Sequence, residues 1–209
     1  MPRDVGAAEA ENRGGGEADE SDADGGKQSL SHEVSIIARE LPVDPPSPWL
    51  GRWVTRLKGE GGASRRALDV AMGRGRHAAL LAAAGYATFG VDVKLDAVRD
   101  AVARVPGLRA WCADLRMFPL PRERCDVVVV CRYLQRDLFG ALRDALVPGG
   151  VVLYETFTVG QRRLGRGPTS PDHLLDAGEL RARFAGFDVL FYEEVSTPDA
   201  VARLAARRV

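Results

Sequence analysis

Three aspartates, two glycines and a few later charged residues carry the chemistry available to this chain. Asp69 ends the run Ala67-Leu-Asp, Asp92 ends Phe89-Gly-Val-Asp, and Asp114 follows the apolar stretch from Leu108 to Cys112. Gly73 and Gly75 lie between the first two acids. Glycines let a ligand touch the backbone, and the unpaired N–H groups opening the next helix favour an anionic group there. A carboxylate about 20 residues beyond such a loop is placed to accept hydrogen bonds from the hydroxyls of a ribose, which is Asp92 here. Downstream, Arg132 and Tyr133 follow the run Asp126 to Cys131, and Glu155 lies in the run Val151 to Phe157. Arg132 offers a cation for an anionic substrate group, and Glu155 a base where the substrate must lose a proton.

The elements that must position these residues are legible from periodicity. Residues 67 to 93 read as strand, glycine loop, helix and strand, a nucleoside-binding half-fold. Leu95, Val98, Val102 and Val105 mark a second helix closed by Pro106-Gly107, and Leu108 to Cys112 a third strand. Asp126 to Cys131 is a β-branched run suited to a central strand buried on both faces. Leu134, Leu138, Leu142 and Leu146 recur at helical spacing until Pro148-Gly149-Gly150, before a strand from Val151 to Phe157. Asp176-Ala-Gly-Glu179 resembles a capping box opening a helix to Phe184, and Phe187 to Tyr192 a strand. Val201 to Arg208 pairs back as a last strand, although its alanines suit a helix equally. Strands alternating with helices imply an α/β, Rossmann-like doubly wound sheet.

Ahead of this domain, placed at residues 65–209, the chain divides in two. Residues 1–28 are Gly, Ala and acids with almost no large apolar side chains, which predicts a disordered acidic tail. Residues 29–64 read as a helical cap. In it Ser47 N-caps a helix with Pro48 first, and Leu50, Trp53, Val54 and Leu57 form one apolar face. Trp49 and Trp53 either wall a substrate pocket or only pack this helix on the sheet.

Two ligands fit the glycine loop. Gly73-Arg-Gly-Arg-His-Ala78 satisfies the G-x-G-x-x-A pattern of dinucleotide sites, implying an NAD(P)-dependent oxidoreductase. The other ligand is S-adenosylmethionine (SAM), and Asp69 separates the two. A carboxylate just ahead of the loop repels a pyrophosphate but suits the ammonium and sulfonium of SAM. In these residues the chain resembles the class I SAM-dependent methyltransferases, whose first motif reads roughly L-D-x-G-x-G-x-G. Ala71 stands where the first glycine is usual, an extra methyl facing the ligand, and it motivates a third reading, a binding module without catalysis.

The resemblance extends to Asp114-Leu115 and to the Leu-x-Pro-Gly-Gly turn at 146–150. It implies a seven-stranded sheet ending in an antiparallel hairpin. It also implies that Asp69, Ala71, Gly73, Gly75, Arg76, Asp92, Val93, Asp114, Leu115 and Arg132 bind the cofactor, Asp114 accepting from the adenine amino group. Arg132, Tyr133 and Glu155 are then the residues at the reacting end; alternatively Arg132 and Glu155 form an ion pair between strand ends. Gly73-x-Gly-Arg76, Gly178-Glu-Leu180 and Tyr192-Glu193 resemble the tellurite-resistance and thiopurine-type members. That would imply a small-molecule methyl acceptor with a soft nucleophile such as a thiol. Arg136 and Phe157 are expected at the same pocket. The long connection from Thr158 to Leu175, with Gln161, Arg162, Arg163, Arg166 and His173, is either a closing loop or a solvated surface.

Composition narrows the remaining classes. Of 209 residues 45% are hydrophobic, which supports one normal core, and the formal net charge is zero. Eight acids against three bases in residues 1–27 leave the rest mildly basic. That surplus is too scattered to point to nucleic acid. Cys112, Cys125 and Cys131 lack metal-ligand spacing and read as buried hydrophobes of a reduced, cytoplasmic compartment; no metal is expected. No apolar run reaches the roughly 18 residues of a membrane span. Acceptor identity and oligomeric state are left open.

Overall fold

The computed structural model describes residues 44–59 and 65–209. The acidic tail and the apolar positions of residues 34–41 lie outside the described residues. Seven strands form one sheet in the order β3-β2-β1-β4-β5-β7-β6. They are β1 (Arg66–Val70), β2 (Ala87–Asp92), β3 (Arg109–Cys112), β4 (Cys125–Cys131), β5 (Leu146–Phe157), β6 (Phe187–Val195) and β7 (Val201–Arg208). The first five run parallel, and β7 lies antiparallel between β5 and β6. The five α-helices among the described residues are α1 (Pro48–Lys58), α2 (Arg76–Ala83), α3 (Leu95–Arg104), α4 (Phe139–Ala145) and α5 (Glu179–Arg183).

The alternation of β4 shows how the layers form. Val127, Val129 and Cys131 pack with Trp49, Leu50, Trp53, Val54 and Leu57 of α1 and Leu81 of α2. Val128 and Val130 face the other side, with Leu142 of α4, Leu180 of α5 and Tyr154. A strand covered on both faces has no polar side to keep wet, hence the unbroken β-branched run. The α1 cap is as expected, the Ser47 hydroxyl accepting from the N–H of Leu50 at 3.4 Å with Pro48 first.

Three expectations change in detail. The leucines at 134, 138, 142 and 146 are all buried, but they span a coil, a 3-10 turn, α4 and the start of β5 rather than one helix. β5 begins at Leu146, pairs with Cys125, and loops the Pro-Gly-Gly segment out before regaining register at Val127 and Val151. Cys112 is exposed at the end of β3, not buried, while Cys125 and Cys131 are buried. Val201–Arg208 is a strand. Ala202, Ala205 and Ala206 are fully buried, and their small side chains let β7 fit inside a sheet covered on both faces.

Candidate active site

Strand order reverses between β1 and β4, so their carboxyl ends splay and leave a crevice, the usual ligand position in open α/β sheets. A cleft of about 640 Å³ opens there, lined by Ala71, Asp92 and Val93, Asp114 and Leu115, Arg132 and Tyr133, and by His173 at its rim. That volume suits a nucleoside-sized ligand. Beside it a smaller recess runs over the glycine loop, with Gly73, Arg76, His77, Cys131 and Arg132. A third cavity of about 540 Å³ lies under α1, lined by Trp49, Arg52, Arg76, Cys131, Arg132, Glu155, Asp199 and Arg203. Arg132 borders all three.

The loop is pinned from below. The Asp92 carboxylate accepts from the N–H of Gly73 at 2.8 Å and from that of Lys94 at 2.9 Å, which ties the glycine loop to the end of β2. Ala71, Gly73 and Gly75 have φ of 53°, 55° and 79°, so Ala71 takes a left-handed conformation that glycine would take without strain. Met72 tucks beneath, buried, with its sulfur where a Cβ on Gly90 would be, 2.1 Å away.

Asp69 is 1% exposed and lies below the loop rather than on the wall of the cleft. Its Oδ2 is buried without a hydrogen-bond partner. Burial pushes its carboxyl up to about 7, against the Ala78 N–H and the Arg76 charge, which pull it down. Next to it, His77 was given no role by the sequence because a lone histidine in a helix has no signature. It is buried, its Nε2 accepts from the N–H of Ser47 at 3.2 Å, and it joins α2 to the start of α1. Burial, then the Arg76 and Arg132 charges, lower it to about 3, so it is the neutral imidazole that this hydrogen bond requires.

Asp114 faces the cleft but is held locally. Its carboxylate accepts from Arg116 Nε and Nη2, the shortest contact 2.6 Å, and from the Arg116 backbone N–H. These bonds keep its carboxyl down at about 2. The Tyr133 hydroxyl donates to Gln135 at 2.5 Å, and burial raises its phenol above the ordinary range.

At the reacting end the alternative of an Arg132–Glu155 ion pair is overturned. Glu155 is 5% exposed and accepts from Arg203 Nε at 2.6 Å, while Arg203 also reaches Glu193 at 2.8 Å. Arg132, with φ of 55°, turns toward Asp199 at 3.4 Å and lies over the Phe157 ring. Arg132 and Glu155 end adjacent strands, the Arg132 N–H donating to the Glu155 carbonyl at 2.7 Å, but β7 enters on the other side of β5 and brings Arg203 opposite the Glu155 side chain. Burial, then Glu155, raises the Cys131 thiol far above its usual range, which makes it a poor nucleophile.

Several loop residues are structural. Arg136 lines the cleft, as expected, while its guanidinium forks onto Glu179 at 2.8 and 2.9 Å and onto the Leu174 carbonyl, which also holds the long connection. Gln161, expected to close over a substrate, is 1% exposed, accepting from the Ala200 N–H and donating to the Arg166 carbonyl. Arg166 pairs with Asp199 at 2.9 Å and Arg162 donates to the Thr169 carbonyl. The connection is thereby fastened to the β6–β7 turn. Among the described residues no group of three or more acids, histidines or cysteines is placed to hold a metal.

Residues 67–150 match the family described as "Methyltransferase domain". Those residues are a methyltransferase domain, and the seven-stranded order is that of the class I methyltransferase fold. The chain is an enzyme of the methyltransferase class with SAM as cofactor, and nothing in fold or family favours an oxidoreductase. An S-adenosylmethionine-dependent methyltransferase from Mesorhizobium loti superposes with a TM-score of 0.62 at 20% identity, over 76% of this chain and 98% of that one. Geranyl diphosphate C-methyltransferase from Streptomyces coelicolor A3(2) does so at 0.61 and 15%, over 76% and 79%. A structure described under conversion of a disulfide bond into a thioacetal group during echinomycin biosynthesis reaches 27% identity and 0.58, over 78% and 82%. No curated protein matches the chain in sequence. Among the described residues no helix of this methyltransferase is long and apolar enough to cross a membrane.

Proposed function

We propose that the 640 Å³ cleft holds the adenosyl part of SAM and that the cavity under α1 admits a small-molecule methyl acceptor, the two meeting at Arg132. The observation that carries this is the placement of Asp92 and Asp114 on one wall, above an Asp69 whose buried Oδ2 has no partner. An orphaned, buried carboxylate oxygen beneath a glycine loop fits a site built to receive a cation. Asp92 keeps free lone pairs for ribose hydroxyls while it pins Gly73. Val93 and Leu115 line the cleft between those acids, Leu115 offering its backbone N–H. Ala71, Gly73 and Gly75 shape the loop, and Asp69 answers the ammonium. Arg76, at the first turn of α2 and only 3.6 Å from Asp44, takes the cofactor's carboxylate.

When bound, SAM supplies a methyl group already activated by a sulfonium: the S–CH3 bond breaks as the bond to the acceptor forms, and S-adenosylhomocysteine leaves. The chain's task is alignment and exclusion of water. Arg132 and Tyr133 border the reacting end, and Glu155, fixed by Arg203, is the base for an acceptor bearing a proton. A thiolate needs none, and likeness at 27% identity to the structure described under conversion of a disulfide bond into a thioacetal group supports a soft acceptor. The tellurite-resistance and thiopurine likeness carries less. The Glu194 carboxylate accepts from Gly178 N–H at 2.7 Å and from the Tyr192 hydroxyl at 2.5 Å, so those motif residues brace α5 against β6.

The test is formation of S-adenosylhomocysteine from SAM with small thiols, amines and phenols as acceptors. Turnover with thiols, retained in Glu155→Gln, supports the soft-acceptor reading. Turnover confined to amines or phenols and lost in Glu155→Gln overturns it in favour of base-assisted transfer.

A further inference from the structure

The acceptor cavity has more donors than its own acceptors can satisfy. Three of its carboxylates are engaged: Asp44 with Arg76 at 3.6 Å, Asp199 with Arg132 at 3.4 Å, and Glu155 with Arg203 at 2.6 Å. The fourth lining guanidinium, Arg52 of α1, has no ion pair among the described residues. One turn before it, Trp49 lines the same cavity, is 2% exposed, and its indole Nε1 is buried with no hydrogen-bond partner. A buried indole N–H left without an acceptor is destabilising, and packing alone does not require it. The ring contacts of Trp49 with Trp53 and Phe191 need an aromatic face but not an N–H donor.

We infer that this cavity recognises a carboxylate on the methyl acceptor, with Trp49 Nε1 as hydrogen-bond donor and Arg52 as counter-charge. The inference rests on the acceptor reading above and narrows it to a class: a small acid whose nucleophilic group is separate from its carboxylate. One unpaired positive charge matches a monoanion. Adjacent indole and proline surfaces from Pro45, Pro46 and Pro48 give the rest of the molecule an apolar wall. Trp49 and Arg52 border this cavity and not the recess over the glycine loop, which Arg76 and Arg132 also border, so the acceptor's anion is read apart from the cofactor's.

The experiment is titration of benzoate and of the neutral benzamide into protein saturated with S-adenosylhomocysteine, followed by calorimetry or ligand-observed NMR. Wild type should bind benzoate about tenfold more tightly than benzamide, the range a hydrogen bond to a charged group spans. Arg52→Ala and Trp49→Phe should each remove most of that preference while leaving S-adenosylhomocysteine affinity and thermal stability near wild type. Equal or absent binding of the two probes, or a preference that survives both substitutions, overturns the inference and leaves the cofactor reading intact. Failure of S-adenosylhomocysteine itself to bind removes both together.

Discussion

At the scale of single residues, Asp92 serves two bonds at once. It fixes the glycine loop through Gly73 and Lys94 and presents its remaining lone pairs to the cleft. Asp92→Ala should therefore abolish SAM binding in calorimetry, and the unpinned loop should lower the melting temperature as well. Unchanged affinity would remove Asp92 from the ribose site. Asp69 and His77 make an opposed pair. Burial favours the protonated acid in Asp69, so its contribution to stability shrinks as pH rises from about 4 to about 7. Burial favours the neutral imidazole in His77, so its contribution is present above about 6.5 and is lost as pH falls toward 3. The two effects run in opposite directions with pH, and over the shared window they offset each other. Asp69→Asn should unmask the histidine: urea midpoints of the variant should fall more steeply than wild type between pH 7 and 4. Parallel profiles would contradict the assignment of Asp69 as a raised acid. Ionisation of Asp69 should also strengthen binding of the SAM ammonium as pH rises through 7.

At the scale of elements, β2 and the glycine loop share one packing decision. Gly90 has no side chain because Met72 fills its space, so the loop's height above the sheet is set by a residue in the middle of a strand. Gly90→Ala should cost about 1–3 kcal/mol by overpacking and weaken SAM binding through the displaced loop. Adding Met72→Ala should recover part of both, a non-additive pair in a double-mutant cycle. The sequence made the strand-loop-helix-strand unit legible because period, glycines and strand-end acids agree within 27 residues. It left Gly90 and Met72 unread, since their contact joins segments that only the folded sheet superposes. For the same reason Arg132 and Glu155, both at strand ends, could be located without their partners. Asp199 and Arg203 come from the final hairpin, far along the chain.

At the scale of the whole molecule, a sheet parallel but for β7 places a cleft at the reversal between β1 and β4 and a second cavity beneath α1. The seven-stranded sheet with its closing antiparallel hairpin was expected from the resemblance to the class I methyltransferases, and the sheet has both. The charge balance of the cavity under α1 was not legible in the sequence, because α1, β5, β7 and the turn before β7 contribute to it together. Acid stability belongs to this scale also. Glu179 joins α5 to Arg136 and Arg183; against burial, which raises it, their hydrogen bonds hold its carboxyl at about 2. That stabilisation is present above about 4.5 and is lost as pH falls toward 2. Glu179→Gln should lower the melting temperature at pH 7, with the difference from wild type closing by pH 2.

On the proposed reading, two strand-end acids and a third beneath the loop form a pocket for SAM rather than for a dinucleotide. Calorimetric titration of the wild-type chain with SAM and with NAD, side by side at pH 8, tests it most directly. Saturable micromolar binding of SAM with no heat from NAD is the expected result. Binding of NAD alone, or of neither ligand, would contradict it.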